Sequence, residues 1–207
     1  MPSVDPASDP TNSTTLLECF DQVAGRFPAR CFFVDRFPLQ IRSNEIYRQL
    51  AIFYDAARRG DVPKWEYERE EDRFRRTVAR LWAYSPVTVQ STLPYENLAA
   101  AATALKGQQT TRLKALAKDL AASENGLLSL NTWRDLNILL KLGLRERAHS
   151  VLVFHSSKIM MWTSQDLVIP VYCGSLEWRQ HLQQICLTEG LYLRPMLEES
   201  TLGGRQN

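Results

Sequence analysis

The sequence predicts an α+β fold that is mainly helical: a helical bundle or array, then a small three-stranded antiparallel meander, then a C-terminal helix. Three observations carry that expectation. Apolar residues recur at three- and four-residue spacing from about residue 15 to residue 145. Over residues 150–174 (SVLVFHSSKIMMWTSQDLVIPVYCG) the period drops to two, or to a continuous apolar run. A further helical stripe follows Gly174-Ser175. The expected organisation is a disordered arm over 1–12, a helical domain over 13–145, a small α/β unit packed on it over 146–195, and a frayed tail over 196–207.

Each element has a local cause. The first 12 residues carry three prolines and two aspartates and little that can be buried, so they are expected as an arm. Thr15 with Glu18 makes a capping box, and Leu16, Leu17, Phe20, Val23 and Phe27 give a stripe that stops at Gly25 to Pro28. The run CFFVDRFPLQI is aromatic but holds Pro38, which predicts an irregular packed connector in place of a central strand. A helix follows Ser43, with Ile46, Leu50, Phe53 and Tyr54 on one face and Gly60 as its stop. Residues 62–84 form the longest predicted helix, with Pro63 in its first turn and Pro86 past its end.

Residues 93–105 are expected as a helix behind Thr92, ending at Gly107, with a run of small residues at Ala99 to Ala102 that permits close approach of a neighbour. Two more helices are expected over 111–123 (Leu113, Leu116, Leu120) and 131–142 (Trp133, Leu136, Leu139, Leu140). The short loops between them favour antiparallel neighbours. Strands are expected over 150–154, 158–163 and 167–172, joined through His155-Ser156-Ser157 and Ser164-Gln165-Asp166. A final helix over 176–188, ended by Gly190, is the nearest element able to cover a face of that sheet.

At 207 residues, 44% hydrophobic and 23% charged, the chain has ordinary globular composition and length for a real core. A formal charge of +2 implies neither nucleic acid nor acidic membranes by itself, so an electrostatic partner must be read from local clustering. No secretory leader and no run of 18 apolar residues is present, which predicts an intracellular protein, cytoplasmic or nuclear, with no membrane partner. Cys19, Cys31, Cys173 and Cys186 have no CxxC spacing and sit in stretches otherwise full of core residues, so they read as buried thiols in a reducing compartment. The oligomeric state is not legible.

Catalytic chemistry finds little to stand on. His149, His155 and His181 are the only histidines, and with Cys173 they make no recognisable metal-ligand spacing. Ser156, His155 and Asp166 spell a triad on paper, but neighbours in one hairpin turn rarely reach that geometry. There is no GxGxxG and no GxxxxGK[ST], so no cofactor or nucleotide is expected. The expectation is a non-enzymatic regulatory or adaptor protein.

Two surfaces are candidates for its partner. Arg69, Arg73, Arg76 and Arg80 fall at i, i+4, i+7 and i+11 of the long helix, with Arg58, Arg59 and Lys64 just upstream. That basic ridge could meet the phosphates of RNA or DNA, although Glu66, Glu68, Glu70, Glu71 and Asp72 on the same helix can pair with it. The alternative is a protein partner docked on apolar surface around the meander, at Ile159, Met160, Met161 and Trp162.

Two stretches resemble known families. Phe27-Pro28 with Cys31-Phe32, then Pro38-Leu39-Gln40-Ile41, then Arg75-Arg76-Thr77-Val78 leading to Trp82-Ala83-Tyr84-Ser85-Pro86, faintly resembles the order of features in the FinO/ProQ family of RNA chaperones. That resemblance implies RNA binding. The lysine and glycine of that family after its PL pair are here Gln40 and Arg42, and its downstream arginine and glycine turn is missing. Leu93-Pro94-Tyr95-Glu96-Asn97-Leu98 looks like the opening of an F-box, which implies an adaptor-docking helix.

Overall fold

One antiparallel sheet of seven strands, in the order β3-β2-β4-β5-β6-β1-β7, organises the described chain. The strands are β1 (Cys31–Asp35), β2 (Val87–Ser91), β3 (Leu128–Leu130), β4 (Ser150–Phe154), β5 (Ile159–Thr163), β6 (Val168–Cys173) and β7 (Tyr192–Pro195). The helices are α1 (Phe20–Arg26), α2 (Asn44–Leu50), α3 (Tyr54–Arg59), α4 (Lys64–Trp82), α5 (Leu98–Thr103), α6 (Gln108–Ala122), α7 (Trp133–Leu144) and α8 (Leu176–Thr188). This is a computed structural model, and it describes residues 10–12, 19–163 and 167–196. The capping box at Thr15 and Glu18, the turn residues 164–166 and the tail from 197 lie outside those residues.

The expected bundle followed by a three-stranded meander is overturned. β4, β5 and β6 are the middle of the seven-stranded sheet, and segments read as connectors or helix flanks supply the other four strands. The sheet also crosses the boundary expected at residue 145, because β2 pairs with β4 through Val87↔Phe154 and Val89↔Leu152. Residues 31–35, expected as an irregular connector, form an interior strand between β6 and β7. Pro38 lies beyond Asp35, so its missing N–H removes nothing from the ladder.

The helices differ in detail for local reasons. Residues 43–60 form two helices, with extended backbone at Ala51 and Phe53 between α2 and α3. Residues 93–105 hold a 3₁₀ turn at Leu93–Tyr95 and then α5, whose first N–H groups donate to the Asn97 side chain at 3.0 and 3.1 Å. α7 is capped by Thr132, which accepts from the Asp135 N–H at 3.2 Å.

Pairing register assigns the sheet's two faces. The first carries Phe32, Val34, Val87, Val89, Leu152, Phe154, Ile159, Met161, Ile169 and Val171, all in the main core beneath the helices. α4 brings Tyr67, Phe74, Val78 and Leu81 to it, α6 brings Leu113, Leu116 and Leu120, and α7, flanked by α4 and α6, buries residues on nearly every side. Each fully buried Leu, Ile or Phe contributes about 1.5–3 kcal/mol, so this face holds the fold together. The second face carries Cys31, Val153, Met160, Trp162 and Tyr172, packed against Val23 and Ala24 of α1. α1 is a short cover, and beyond it this face opens toward β2 and β4.

Candidate functional site: the arginine ridge and the sheet groove

Arg69, Arg73, Arg76 and Arg80 share one side of α4, as their spacing predicts, but each guanidinium is tied to a carboxylate. Glu70, only 4% exposed, pairs with Arg69 at 3.0 Å and accepts from Arg73 at 2.9 Å. Asp72 pairs with Arg76. Glu189, just past α8, accepts from Nε of Arg76 and from Nε of Arg80, each at 2.6 Å. Upstream, Arg58 pairs with Asp55 at 3.4 Å and Arg59 with Asp61 at 3.0 Å, while Lys64 forms no ion pair among the described residues. A phosphate arriving at Arg73, Arg76 or Arg80 would meet guanidinium groups whose charge is already offset by a carboxylate, with only their remaining N–H groups to offer. The ridge acts as a clamp that holds the end of α8 against α4.

Desolvation pushes the Glu189 carboxyl up, but the hydrogen bonds from Arg76 and Arg80 outweigh it and hold it below its ordinary 4.5. Because it titrates lower folded than unfolded, its contribution is fully present above 4.5 and is lost as pH falls through the folded value. Glu189→Gln is therefore expected to cost about 1–2 kcal/mol near neutral pH, discounted because both arginines are half exposed. Urea unfolding of both proteins between about pH 3 and pH 7 should show that gap closing on the acid side. A gap unchanged across the range would remove the clamp.

Ile159, Met160, Met161 and Trp162 form β5, in the middle of the sheet, and are 0%, 0%, 0% and 6% exposed. Ile159 and Met161 lie beneath the helices, and Met160 and Trp162 lie against α1. As a group they are core, not docking surface. Trp162 alone reaches the edge of a cavity.

That cavity is a groove of about 750 Å³ on the second sheet face. Its floor is a row across the strands: Gln90 of β2 opposite Val151 of β4, Val151 opposite Trp162 of β5, and then Pro170 of β6. The β5–β6 ladder ends at Met161↔Val171, immediately before Pro170, whose ring leaves no N–H to continue it. One wall is Cys19 and Phe20 at the start of α1, where the Phe20 ring meets Trp162 edge-on at 5.3 Å. Pro94 and Tyr95, with Asn125 and Gly126, form the opposite side, and His149 stands at the end. Tyr95 is 89% exposed.

Hydroxyls at the groove's end are committed to the fold. Ser150 Oγ donates to Ser91 Oγ at 2.9 Å, Ser91 Oγ donates to the His149 carbonyl at 2.9 Å, and Thr163 Oγ1 donates to the Ser150 carbonyl at 3.2 Å. No lysine, arginine, aspartate or glutamate lines the groove among the described residues.

The remaining candidates do not assemble. His155 Nε2 lies 2.8 Å from Thr88 Oγ1, Ser156 is held through its N–H by Ser85 Oγ at 2.9 Å, and Asp166 is outside the described residues. His181 packs edge-on against Trp178 at 5.3 Å, and His149 is exposed at the groove. All four cysteines are free, with burial pushing the Cys31 thiol up to about 11 and Cys186 to about 12, far from nucleophilic thiolates. Among the described residues no three or more His, Cys, Asp or Glu side chains come together as a metal site, and no helix is long and apolar enough to cross a membrane.

Sequence reasoning missed the groove because its floor comes from four separate strands. The one local signal was the V-T-V-Q alternation at residues 87–90, which sets Gln90 apart from buried Val87 and Val89. Neither a family model, nor a curated protein, nor a solved structure matches this chain, so the FinO/ProQ-like and F-box-like stretches have no family match behind them.

Proposed function

We propose that the protein is a non-enzymatic adaptor that grips a short apolar segment of a partner polypeptide in the groove across its sheet. The observation that carries this reading is the lining: a ligand-sized concavity with Phe20, Val151, Trp162, Pro170 and Tyr95 along it and no formal charge among the described residues. An uncharged wall offers a phosphate or another ion no counter-charge to offset its lost hydration. Apolar side chains gain by entering it. A floor row over four strands spans about 14 Å, the length of roughly four residues of extended peptide. His149, exposed at its end, can exchange hydrogen bonds with peptide amides. Four cysteines without disulfides support a reducing, intracellular setting.

The test is selection of peptides from a random display library on the full chain, with Val151→Asp and Tyr95→Ala compared at low and high salt. Selected peptides are expected to be apolar and uncharged, to bind nearly independently of salt, and to lose about tenfold in affinity with Tyr95→Ala. Tyr95 is exposed, so that variant keeps its fold. Charged peptides, or equal binding by both variants, would overturn the groove reading. RNA binding with a steep salt slope that Arg73→Ala/Arg76→Ala abolishes would replace it with the ridge.

A further inference from the structure

A second cleft, of about 280 Å³, lies among the helices that cover the sheet's first face, and it is as charged as the groove is neutral. Glu68, Glu71, Asp72 and Arg75 of α4 face Lys106, Lys141 and Arg145 across it. Three of its four cations have a carboxylate. Arg145 pairs with Glu71, Arg75 donates to Asp72 at 2.7 Å, and Lys106 donates to Glu68 at 3.0 Å. Lys141 does not. Its ammonium has one acceptor among the described residues, the neutral amide oxygen of Gln109 at 3.3 Å.

Two further features make this spot electropositive. Arg75 spends Nε on Asn137 and Nη1 on Asp72, and its Nη2 makes no hydrogen bond among the described residues. α6, fifteen residues long, begins right after Lys106 and carries Gln109 in its first turn. It has neither a side-chain cap nor an acidic residue there, so the positive end of its dipole is uncompensated beside the cleft.

We propose that this cleft is an oxyanion site whose ligand is a phosphate group, free or as a monoester, held by Lys141 with Arg75 and Lys106. The anion supplies the charge that Lys141 lacks, and a guanidinium N–H, here Arg75 Nη2, and a lysine point charge are usual protein partners of phosphate oxygens. Burial holds the Lys141 ammonium below its ordinary 10.5, and Arg75, Arg145 and Lys106 push it the same way against Glu71. A bound anion reverses that push. The site is independent of the sheet groove.

The experiment is calorimetric titration of the full chain with inorganic phosphate and with phenyl phosphate at fixed ionic strength, using Lys141→Gln and, as control, Lys114→Gln on the exposed side of α6. Saturable binding is expected, weakened about tenfold by Lys141→Gln and unchanged by Lys114→Gln. Tighter phenyl phosphate identifies a monoester as the ligand, and equal affinities identify the free anion. In parallel, NMR of ¹³C-methylated lysines should show the Lys141 titration midpoint moving up when phosphate is added, with Lys114 unmoved; this readout needs no variant to fold. Absence of saturable binding, equal affinity in Lys141→Gln, or a stationary Lys141 midpoint overturns the proposal.

Discussion

Glu71→Ala is expected to cost about 3–5 kcal/mol, a large share of a domain's usual stability of about 5–15. Glu71 is 2% exposed and Arg145 is 6% exposed, and the guanidinium meets the carboxylate with two nitrogens while a third donates to the Ala104 carbonyl. The Tyr54 ring lies 5.1 Å from the same guanidinium, and Tyr67 Oη donates to the adjoining Leu144 carbonyl at 2.7 Å. Removing the carboxylate leaves a buried cation with no counter-charge. Burial opposes the charge on Arg145 and Glu71 outweighs it; with Glu71 gone the opposition stands alone, and a guanidinium, too basic to lose its proton, cannot escape it. The diagnostic companion is Glu71→Leu/Arg145→Met. Removing both charges should cost much less than the two single changes added together, because a buried pair is expensive chiefly when broken. Urea unfolding of the four proteins decides it. A single-variant loss below about 0.5 kcal/mol would show that water reaches Arg145.

What could be read from the sequence was local, and what could not was long-range. The 3.6-residue stripe of Tyr67, Phe74, Val78 and Leu81 marks α4, and the run Ser150 to Phe154 marks β4, because each pattern lies within one element. β3 has three residues and β7 has four, too few for any period to show. Their strand character comes from partners remote in sequence, as when Phe32 pairs with both Val171 and Pro195. The same limit applies to the sites. Four arginines on one side of α4 were legible; Glu189, arriving from the end of α8 to neutralise two of them, was not. Lys141 did stand out in principle, as a single charge within Leu139, Leu140 and Leu142, but its lack of a carboxylate depends on how Glu68, Glu71 and Asp72 are shared by its neighbours.

The two faces of the sheet divide the chemistry between them. Three charged clefts lie among α3, α4 and the segments around α5 and the end of α7, over the first face. The groove on the second face carries no formal charge among the described residues. With both proposed sites occupied, binding over the first face should respond to salt and binding in the groove should not. The separation also makes the two proposed sites separable by mutation.

Gly143→Ala ties these layers together and is expected to destabilise by about 1–3 kcal/mol, against the usual direction of that change. In an ordinary helical position alanine is better than glycine by roughly 0.5–1 kcal/mol. Gly143 lies where α7 crosses β5, and a Cβ there would stand 2.9 Å from the Thr163 carbonyl oxygen and nearer still to its Oγ1 and Cβ. Thr163 is 1% exposed and its hydroxyl donates to the Ser150 carbonyl, so it cannot turn aside without losing that bond. Gly25 in α1, where nothing lies within 4 Å of an added Cβ, is the control, and Gly25→Ala should be neutral or stabilising. Thr163→Ala added to Gly143→Ala should recover only a small part of the loss, since it removes the Oγ1 clash but leaves the clash with the Thr163 Cβ and the contact with its carbonyl oxygen. Thr163 follows Trp162 along β5 and lines the end of the groove. A helix forced away from β5 should therefore weaken peptide binding on the opposite face, even at temperatures where the chain stays folded. If Gly143→Ala instead stabilises like Gly25→Ala, α7 does not approach β5 this closely, and the groove floor is not braced from behind.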